Sequence, residues 1–339
     1  MESLIELQKT LCPELLQTMQ ERYMILRSID LFQPIGRRAL AENVNSTERT
    51  IRGEVQFLQN QGLIYVTSKG MHTTQEGKAV LEKLTPHIGE MTRLRVMEKR
   101  LKDILNLEEC MIVPGNSDEE NWVKQYMGQA CVSYLRAHLD NVSTIGVTGG
   151  GTMAAVAGMM PTLKTPNRIL FVPARGGLGE HVENQANSIA AQMAKQANGD
   201  YRLLYVPDPL SDSTYKSMMT EPGILEVMQL IKSADMIIHG IGDALTMARR
   251  RKTSEDVINV LRKKEAVSEA FGYYFNDDGE IVHKVTTAGI QLEDLQDISS
   301  VVAVAGGSSK ARAIHSYFKT GSTKVLITDE AAAQHILRV

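Results

Sequence analysis

Three consecutive glycines, Gly149 to Gly151, stand between an apolar run, Ser143 to Val147, and what reads as a helix start at Thr152. Such a cluster weakens the interior of either a strand or a helix, so it belongs where backbone turns sharply or approaches a ligand closely. At a strand-to-helix junction its amides converge on the positive end of the helix dipole, which makes Thr148, Gly149, Gly150, Gly151 and Thr152 a candidate phosphate cradle. The alternative is a ligand-free tight turn of an α/β sheet. Two nucleotide motifs are excluded. Gly146-x4-Gly151 precedes Thr152 and Met153 where a P-loop requires Lys then Ser or Thr, and Gly-x-Gly-x-x-Gly is absent.

Further apolar runs occur at Arg168 to Val172, Leu203 to Val206, Met236 to His239, Val301 to Val304 and Lys324 to Thr328. Helical patterns such as Gln185 to Ala197 and Gly223 to Ser233 separate them, which predicts a doubly wound parallel α/β sheet over residues 107–339. Phe271 to Phe275 and Glu280 to Val285, joined by Asn276-Asp-Asp-Gly279, predict an added hairpin.

Residues 1–83 follow another pattern. Leu16, Met19, Tyr23, Leu26 and Ile29 recur at helical spacing, Pro34 breaks the run, and Arg37 to Glu42 form a second helix. Ser46 is the expected N-cap of a third helix to Asn60, with Ile51, Val55 and Leu58 inward. The short runs Leu63 to Val66 and Met71 to Thr73 flank a turn at Lys69, completing the order of a winged helix-turn-helix. Arg38, Ser46, Thr47, Arg49, Thr50, Arg52 and Gln56 are the candidate contacts to double-stranded DNA, with Lys69 at the wing tip reaching phosphate. The segment is electrically balanced, ten basic residues against ten acidic, but residues 37–52 carry four arginines against two glutamates. A helical interaction module with a solvated face is the other reading. Between the two domains, residues 84–106 form a helical linker. Its stripe Leu84, Ile88, Met91, Leu94, Met97, Leu101 and Ile104, broken at Pro86 and Gly89, packs on the neighbouring domain or forms a dimer.

The remaining composition sets limits. The chain of 339 residues, 43% hydrophobic, has no uncharged apolar run of about 18 residues and no signal peptide at its start, so a cytoplasmic protein without a membrane partner is expected. A net charge of -3 confines any DNA contact to a local patch. Cys12, Cys110 and Cys131 lack metal or disulfide spacing. His181 and Glu183 have no third ligand nearby, and no nucleophile sits beside a base, so neither metal, cofactor nor catalytic residues are assigned.

In a doubly wound sheet the loops after the strands share one crevice. Arg175 there offers a planar fork to phosphate, and Lys310, after Ser308 and Ser309 at another helix start, offers a point charge beside free amides. Two cationic, glycine-rich loops suit a ligand with two phosphates. His239, at a strand end, reads as a core histidine, and Arg175 has the alternative of pairing with a structural carboxylate.

The segments Ile35-Gly-Arg-Arg-Ala-Leu, Arg52-Gly-Glu-Val-Gln-Phe-Leu, Phe171-Val-Pro-Ala-Arg-Gly-Gly-Leu-Gly179, Asn184-Gln-Ala-Asn187, Ala270-Phe-Gly-Tyr-Tyr-Phe-Asn276 and Ala305-Gly-Gly-Ser-Ser-Lys310 resemble the SorC family of sugar-responsive transcriptional regulators, over essentially the whole chain. The likeness is to the branch that represses glycolytic genes. It implies an effector domain related in fold to sugar-phosphate isomerases and deaminases, fructose-1,6-bisphosphate as effector, and a homodimer or homotetramer on operator DNA. It also implies phosphate contacts from residues 148–152, Arg175 and Lys310, with Gln185 and Glu269 near the sugar. The family's first loop ends Gly-Gly-Thr-Thr. Gly151 here lacks one hydroxyl donor, for which phosphate affinity about tenfold lower is expected. A sugar-phosphate isomerase or deaminase carrying an interaction module is the rival reading, and the residues do not fix whether regulation is negative or positive.

Overall fold

The computed structural model describes residues 13–91, 94–177 and 181–338, with backbone alone at 13–17 and 86–91. Cys12, Leu178 and Gly179, and the side chains of Leu16, Ile88 and Met91, therefore lie outside the described residues. The chain divides into two compact units, residues 1–96 and 97–339, a division that falls inside the expected linker.

The first unit runs α1 (Pro13–Phe32), α2 (Arg37–Asn43), α3 (Glu48–Asn60), β1 (Ile64–Thr67), β2 (Gly70–Thr73) and α4 (Gln75–Met91). Its core gathers Leu26, Ile29, Leu40, Ile51, Leu58 and Ile64. Each side chain of this size contributes about 1.5–3 kcal/mol when buried. The wing strands pair antiparallel, and Met71 also exchanges backbone hydrogen bonds with Ile35, at 2.9 and 3.3 Å, so the ribbon is tied to the chain entering α2. Thr47, not Ser46, caps α3. Its hydroxyl accepts from the Thr50 amide at 3.2 Å, while the Ser46 amide is used one residue earlier, closing a turn on the Ala41 carbonyl at 2.9 Å.

No break occurs at Pro86 or Gly89. The helix α4 continues to Met91, because a proline removes one backbone hydrogen bond and need not end a helix whose flanks remain bonded. In α5 (Leu94–Leu105), Leu94, Met97, Leu101 and Leu105 are buried and Ile104 is 50% exposed. The face that includes Leu101 continues four residues on, to Leu105, so Ile104 leaves the expected stripe.

In the second unit β3 (Glu109–Val113), α6 (Asn121–Ala137), β4 (Thr144–Val147), α7 (Gly151–Gly158), β5 (Leu170–Pro173), α8 (Ala186–Ala197) and β6 (Asp200–Tyr201) come first. They are followed by α9 (Asp212–Met218), α10 (Pro222–Lys232), β7 (Met236–His239), β8 (Gly242–Asp243), α11 (Ala244–Arg250) and α12 (Glu255–Lys263). The chain ends with β9 (Ser268–Ala270), β10 (Tyr273–Phe275), β11 (Ile281–Lys284), β12 (Ser300–Val304), α13 (Ala311–Phe318), β13 (Val325–Asp329) and α14 (Glu330–Ile336). Seven strands form a parallel sheet in the order β3-β13-β12-β7-β4-β5-β6, and β8 to β11 form a separate antiparallel sheet containing the expected hairpin. Strands β4 and β7 are buried along their whole length, as the middle of a sheet covered on both faces requires.

Two strand positions differ from expectation. Leu203 to Val206 has no ladder, because the Asn187 side chain both donates to and accepts from the Leu204 backbone at 3.0 Å, satisfying groups a strand partner would need. The sheet edge is instead Asp200–Tyr201. At the other edge stands β3, whose apolar run Cys110 to Val113 is absent from the expected strands.

Successive strands β4, β5 and β6 step toward one edge, and β7 then returns to the other side of β4. That reversal is the switch point, where the loops after β4 and β7 diverge and leave a crevice.

Candidate functional site

The crevice is a cavity of about 490 Å³, within the range of small-molecule sites. Thr148, Gly149, Gly150, Gly151, Thr152, Arg175, Gln185, Glu269, Ser309 and Lys310 all line it, whereas Ser308, the remaining expected contact, does not.

The loop after β4 is shaped by its glycines. Gly150 has φ +120°, a conformation that L side chains rarely adopt, and a Cβ on Gly149 would lie 2.6 Å from the Asn184 carbonyl oxygen. The Gly150 amide donates to that same carbonyl at 2.8 Å. The amides of Gly149, Gly151, Thr152 and Met153 donate to nothing among the described residues. They gather at the N-terminus of α7, on the cavity wall. Thr148 Oγ1 accepts from the Gly240 amide at 3.2 Å and so joins this loop to the one after β7.

The loop after β12 is different, and the expectation of free amides there is corrected. Gly307 N donates to Asp329 Oδ2 at 2.6 Å, Ser308 N to Asn116 Oδ1 at 3.3 Å, Ser309 N to Asp118 Oδ2 at 2.8 Å and Lys310 N to the Gly307 carbonyl at 3.0 Å. What this loop presents is the Lys310 ammonium, which has no hydrogen bond or ion pair among the described residues. Burial pushes its pKa down, Asp118 opposes that, and Lys124 and Arg250 act with burial. A bound anion relieves such a charge.

Arg175 is not a free fork. Its guanidinium donates to Glu269 Oε1 at 3.1 Å through Nη1 and to Asp208 Oδ2 through Nη2. Arg251 completes the group, donating to the same Glu269 oxygen at 2.8 Å and to the Tyr274 hydroxyl at 3.0 Å. Two cations and two carboxylates cancel, all four side chains being 8% exposed or less, so this wall is polar but electrically neutral. Burial raises the Glu269 pKa, but Arg251, Arg175 and the Gly272 amide at 2.7 Å outweigh it and hold the carboxyl ionised below its usual range. Arg175 Nε, Arg251 Nε and Asp208 Oδ1 are buried there without partners. A polar ligand or a water satisfies such atoms.

The turn between β9 and β10 builds the adjoining wall. Phe271 and Gly272 both have positive φ, +54° and +85°, the two-residue turn that matches strand twist. Phe271 packs its ring 4.5 Å from His239. His239 is fully buried, its pKa lowered to about 4 by burial, and it meets the Gly240 carbonyl and Thr323, as a core histidine does.

Arg250, Arg251 and Asp208 are lining residues that escape reasoning from sequence. Arg250 closes α11, whose N-cap Asp243 accepts from the Thr246 amide at 2.8 Å, and lines the cavity together with Lys310. The run Arg249-Arg250-Arg251 just beyond a strand-end loop was its signal. Asp208 had none. Among the described residues no group of three His, Cys, Asp or Glu is placed to hold a metal, and no helix is long and apolar enough to cross a membrane.

In the first unit Arg38, Thr47, Arg49, Thr50, Arg52, Gln56 and Lys69 are exposed and Ser46 half-buried. Arg38 pairs with Glu42 at 3.3 Å, Gln56 donates to Asn60 at 2.9 Å, and Thr47 is committed to its cap. Arg49 and Arg52 project from the surface of α3.

Comparison with known proteins joins the two halves. Residues 89–338 match the family described as "Putative sugar-binding domain", and residues 18–88 match "CggR N-terminal DNA binding domain". The chain is 53% identical over 340 aligned residues to the central glycolytic genes regulator of Priestia megaterium, covering 100% of this chain and 99% of that one. It is 49% identical to the regulator of the same name from Bacillus subtilis, again covering 100% and 99%. A crystal structure assigned to the SorC family, from Enterococcus faecalis, is 48% identical, with TM-score 0.67, covering 71% of this chain and 99% of that one. These relatives are regulators, and the chain is a transcriptional regulator rather than an enzyme. It belongs to the central glycolytic genes regulator family, whose members join a DNA-binding domain to a sugar-binding domain of the SorC type.

Proposed function

We propose that this protein represses glycolytic genes from the cytoplasm by holding operator DNA as a homodimer or homotetramer, and loosens its hold when a sugar bisphosphate fills the cavity. No cofactor enters this reading. The observation that carries it is the set of unpartnered amides at Gly149, Gly151, Thr152 and Met153, facing a cavity whose wall also carries Lys310 and Arg250. One phosphate takes the amides, and the second lies toward the two cations. The sugar hydroxyls meet the neutral wall of Arg175, Asp208, Arg251 and Glu269, with Gln185 beside them. Fructose-1,6-bisphosphate has this layout and is the first ligand to try. Arg49, Thr50 and Arg52 read the major groove, and Lys69 holds phosphate. Release of DNA requires that the ligand bind one arrangement of the protein better than another, since equal affinity shifts nothing.

A gel shift on DNA upstream of this protein's own operon, with and without fructose-1,6-bisphosphate, tests the reading. Wild type is expected to bind and then release. R52A weakens binding without ligand, and K310A binds DNA normally but ignores the sugar. Retention of DNA by wild type at saturating bisphosphate contradicts the proposal.

A further inference from the structure

Helix α3 carries a glycine near its middle, where a helix tolerates one least. Gly53 is exposed and without positive φ, and a Cβ added there meets no described residue within 4 Å. Glycines elsewhere have evident reasons. Gly62 and Gly70 have φ +71° and +143°, a Cβ on Gly77 would lie 2.2 Å from the Leu63 carbonyl oxygen, and one on Gly128, within α6, would lie 2.8 Å from that of Ala155. Gly53 has none of these, yet an exposed glycine in a helix interior is the costliest residue after proline.

Its place on the helix supplies the reason its surroundings do not. Arg49, Gly53, Gln56 and Asn60 follow at intervals of four, three and four, so they form one exposed stripe, with Arg52 beside it, opposite the buried Ile51, Val55 and Leu58. Gln56 is held against Asn60 at 2.9 Å. The outer face of α3 therefore has long polar side chains before and after a point of bare backbone.

We propose that Gly53 is a specificity-determining residue of the DNA contact: base edges of the major groove come against the bare helix there, and only at that distance do Arg49, Arg52 and Gln56 reach their hydrogen-bonding groups. The inference rests on α3 being the helix that enters the groove. A methyl group at this point holds the helix off the base edges, and base hydrogen bonds depend on close, well-aligned geometry. Binding to unrelated sequence rests on phosphate contacts from flexible side chains, which adjust.

Fluorescence anisotropy of the full chain tests this in wild type, G53A, G53L and R52A, on labelled DNA from upstream of its own operon and on a duplex of the same length and scrambled sequence. G53A is expected to bind the upstream DNA about tenfold more weakly and G53L about a hundredfold, with the scrambled duplex held within about twofold. The melting temperature of G53A is expected at or above that of wild type, since alanine suits a helix better. A protein no less stable yet less selective is an outcome that a role inside the fold does not produce. Unchanged upstream-DNA affinity in both Gly53 variants, with R52A weakened, overturns this inference alone. A lowered melting temperature in G53A assigns the glycine to the fold, equal weakening on the two duplexes assigns it to general affinity, and either overturns the proposal. Wild type that binds both duplexes equally, or unchanged binding in R52A and both Gly53 variants, removes α3 as the reading helix and this inference with it.

Discussion

The loops after β4 and β12 end on one edge of one sheet, both rich in glycine and both leading into a helix. One has four amides without partners, and the other has every amide from Gly307 to Lys310 engaged. The difference does not come from the loops themselves. Asn184 meets the first with its backbone carbonyl, and among the described residues no side chain accepts an amide of Gly149, Gly151, Thr152 or Met153, whereas Asp329, Asn116 and Asp118 bring accepting side-chain oxygens to the second. A glycine-rich turn at a helix start thus announces room for an anion. Whether that anion is a ligand or the protein's own carboxylate is decided by residues far away in sequence.

By this contrast, removing the buried Asp329 carboxylate from the closed loop damages the fold, while altering the open loop changes binding. The largest effect is expected from D329A. Asp329 is fully buried and accepts the amides of Ser117, Gly307 and Ala332, so its loss strands buried donors at about 1–3 kcal/mol each. Denaturant unfolding is expected to show at least about 3 kcal/mol of destabilisation, and a variant as stable as wild type would falsify the structural role. Next comes T152D, which converts the open loop into an imitation of the closed one. Calorimetry is expected to show sugar-phosphate affinity lowered roughly 100-fold with the melting temperature little changed, because a carboxylate then competes for the amides and repels phosphate. Undiminished affinity in T152D would mean that phosphate sits elsewhere. The smallest effect belongs to G151T. A Cβ at Gly151 meets nothing nearer than Asn184 Oδ1 at 3.8 Å, so the added hydroxyl fits and is expected to tighten binding by about three- to tenfold. Weaker binding in that variant would show that the seat has no space for a hydroxyl.

Much of the scaffold was legible because it depends on local pattern. Apolar runs marked β4, β5, β7, β12 and β13, and the glycine run marked where β4 hands over to α7. Several of the failures share one cause, which is a partner distant in sequence. Leu203 to Val206 reads as a strand until Asn187 is seen holding Leu204. Arg175 reads as a phosphate fork until Asp208 and Glu269, 33 and 94 residues away, are seen neutralising it. For that reason R175A is a poor probe of ligand contact, since it leaves two buried carboxylates short of a partner. The Ser308 to Lys310 loop reads as an open cradle until Asp118, some 190 residues earlier, is found in it. Ser46 and Thr47 differ by one position, and only the turn closed on Ala41 decides which of them caps α3.

The central claim is that the open loop after β4 seats phosphate, and amide NMR of the full chain tests it most directly. Titration with fructose-6-phosphate should move the resonances of Gly149, Gly151, Thr152 and Met153 saturably, while Gly307 and Ser308 stay in place. Shifts confined to residues 307–309, with the first loop unmoved at saturation, would contradict the account.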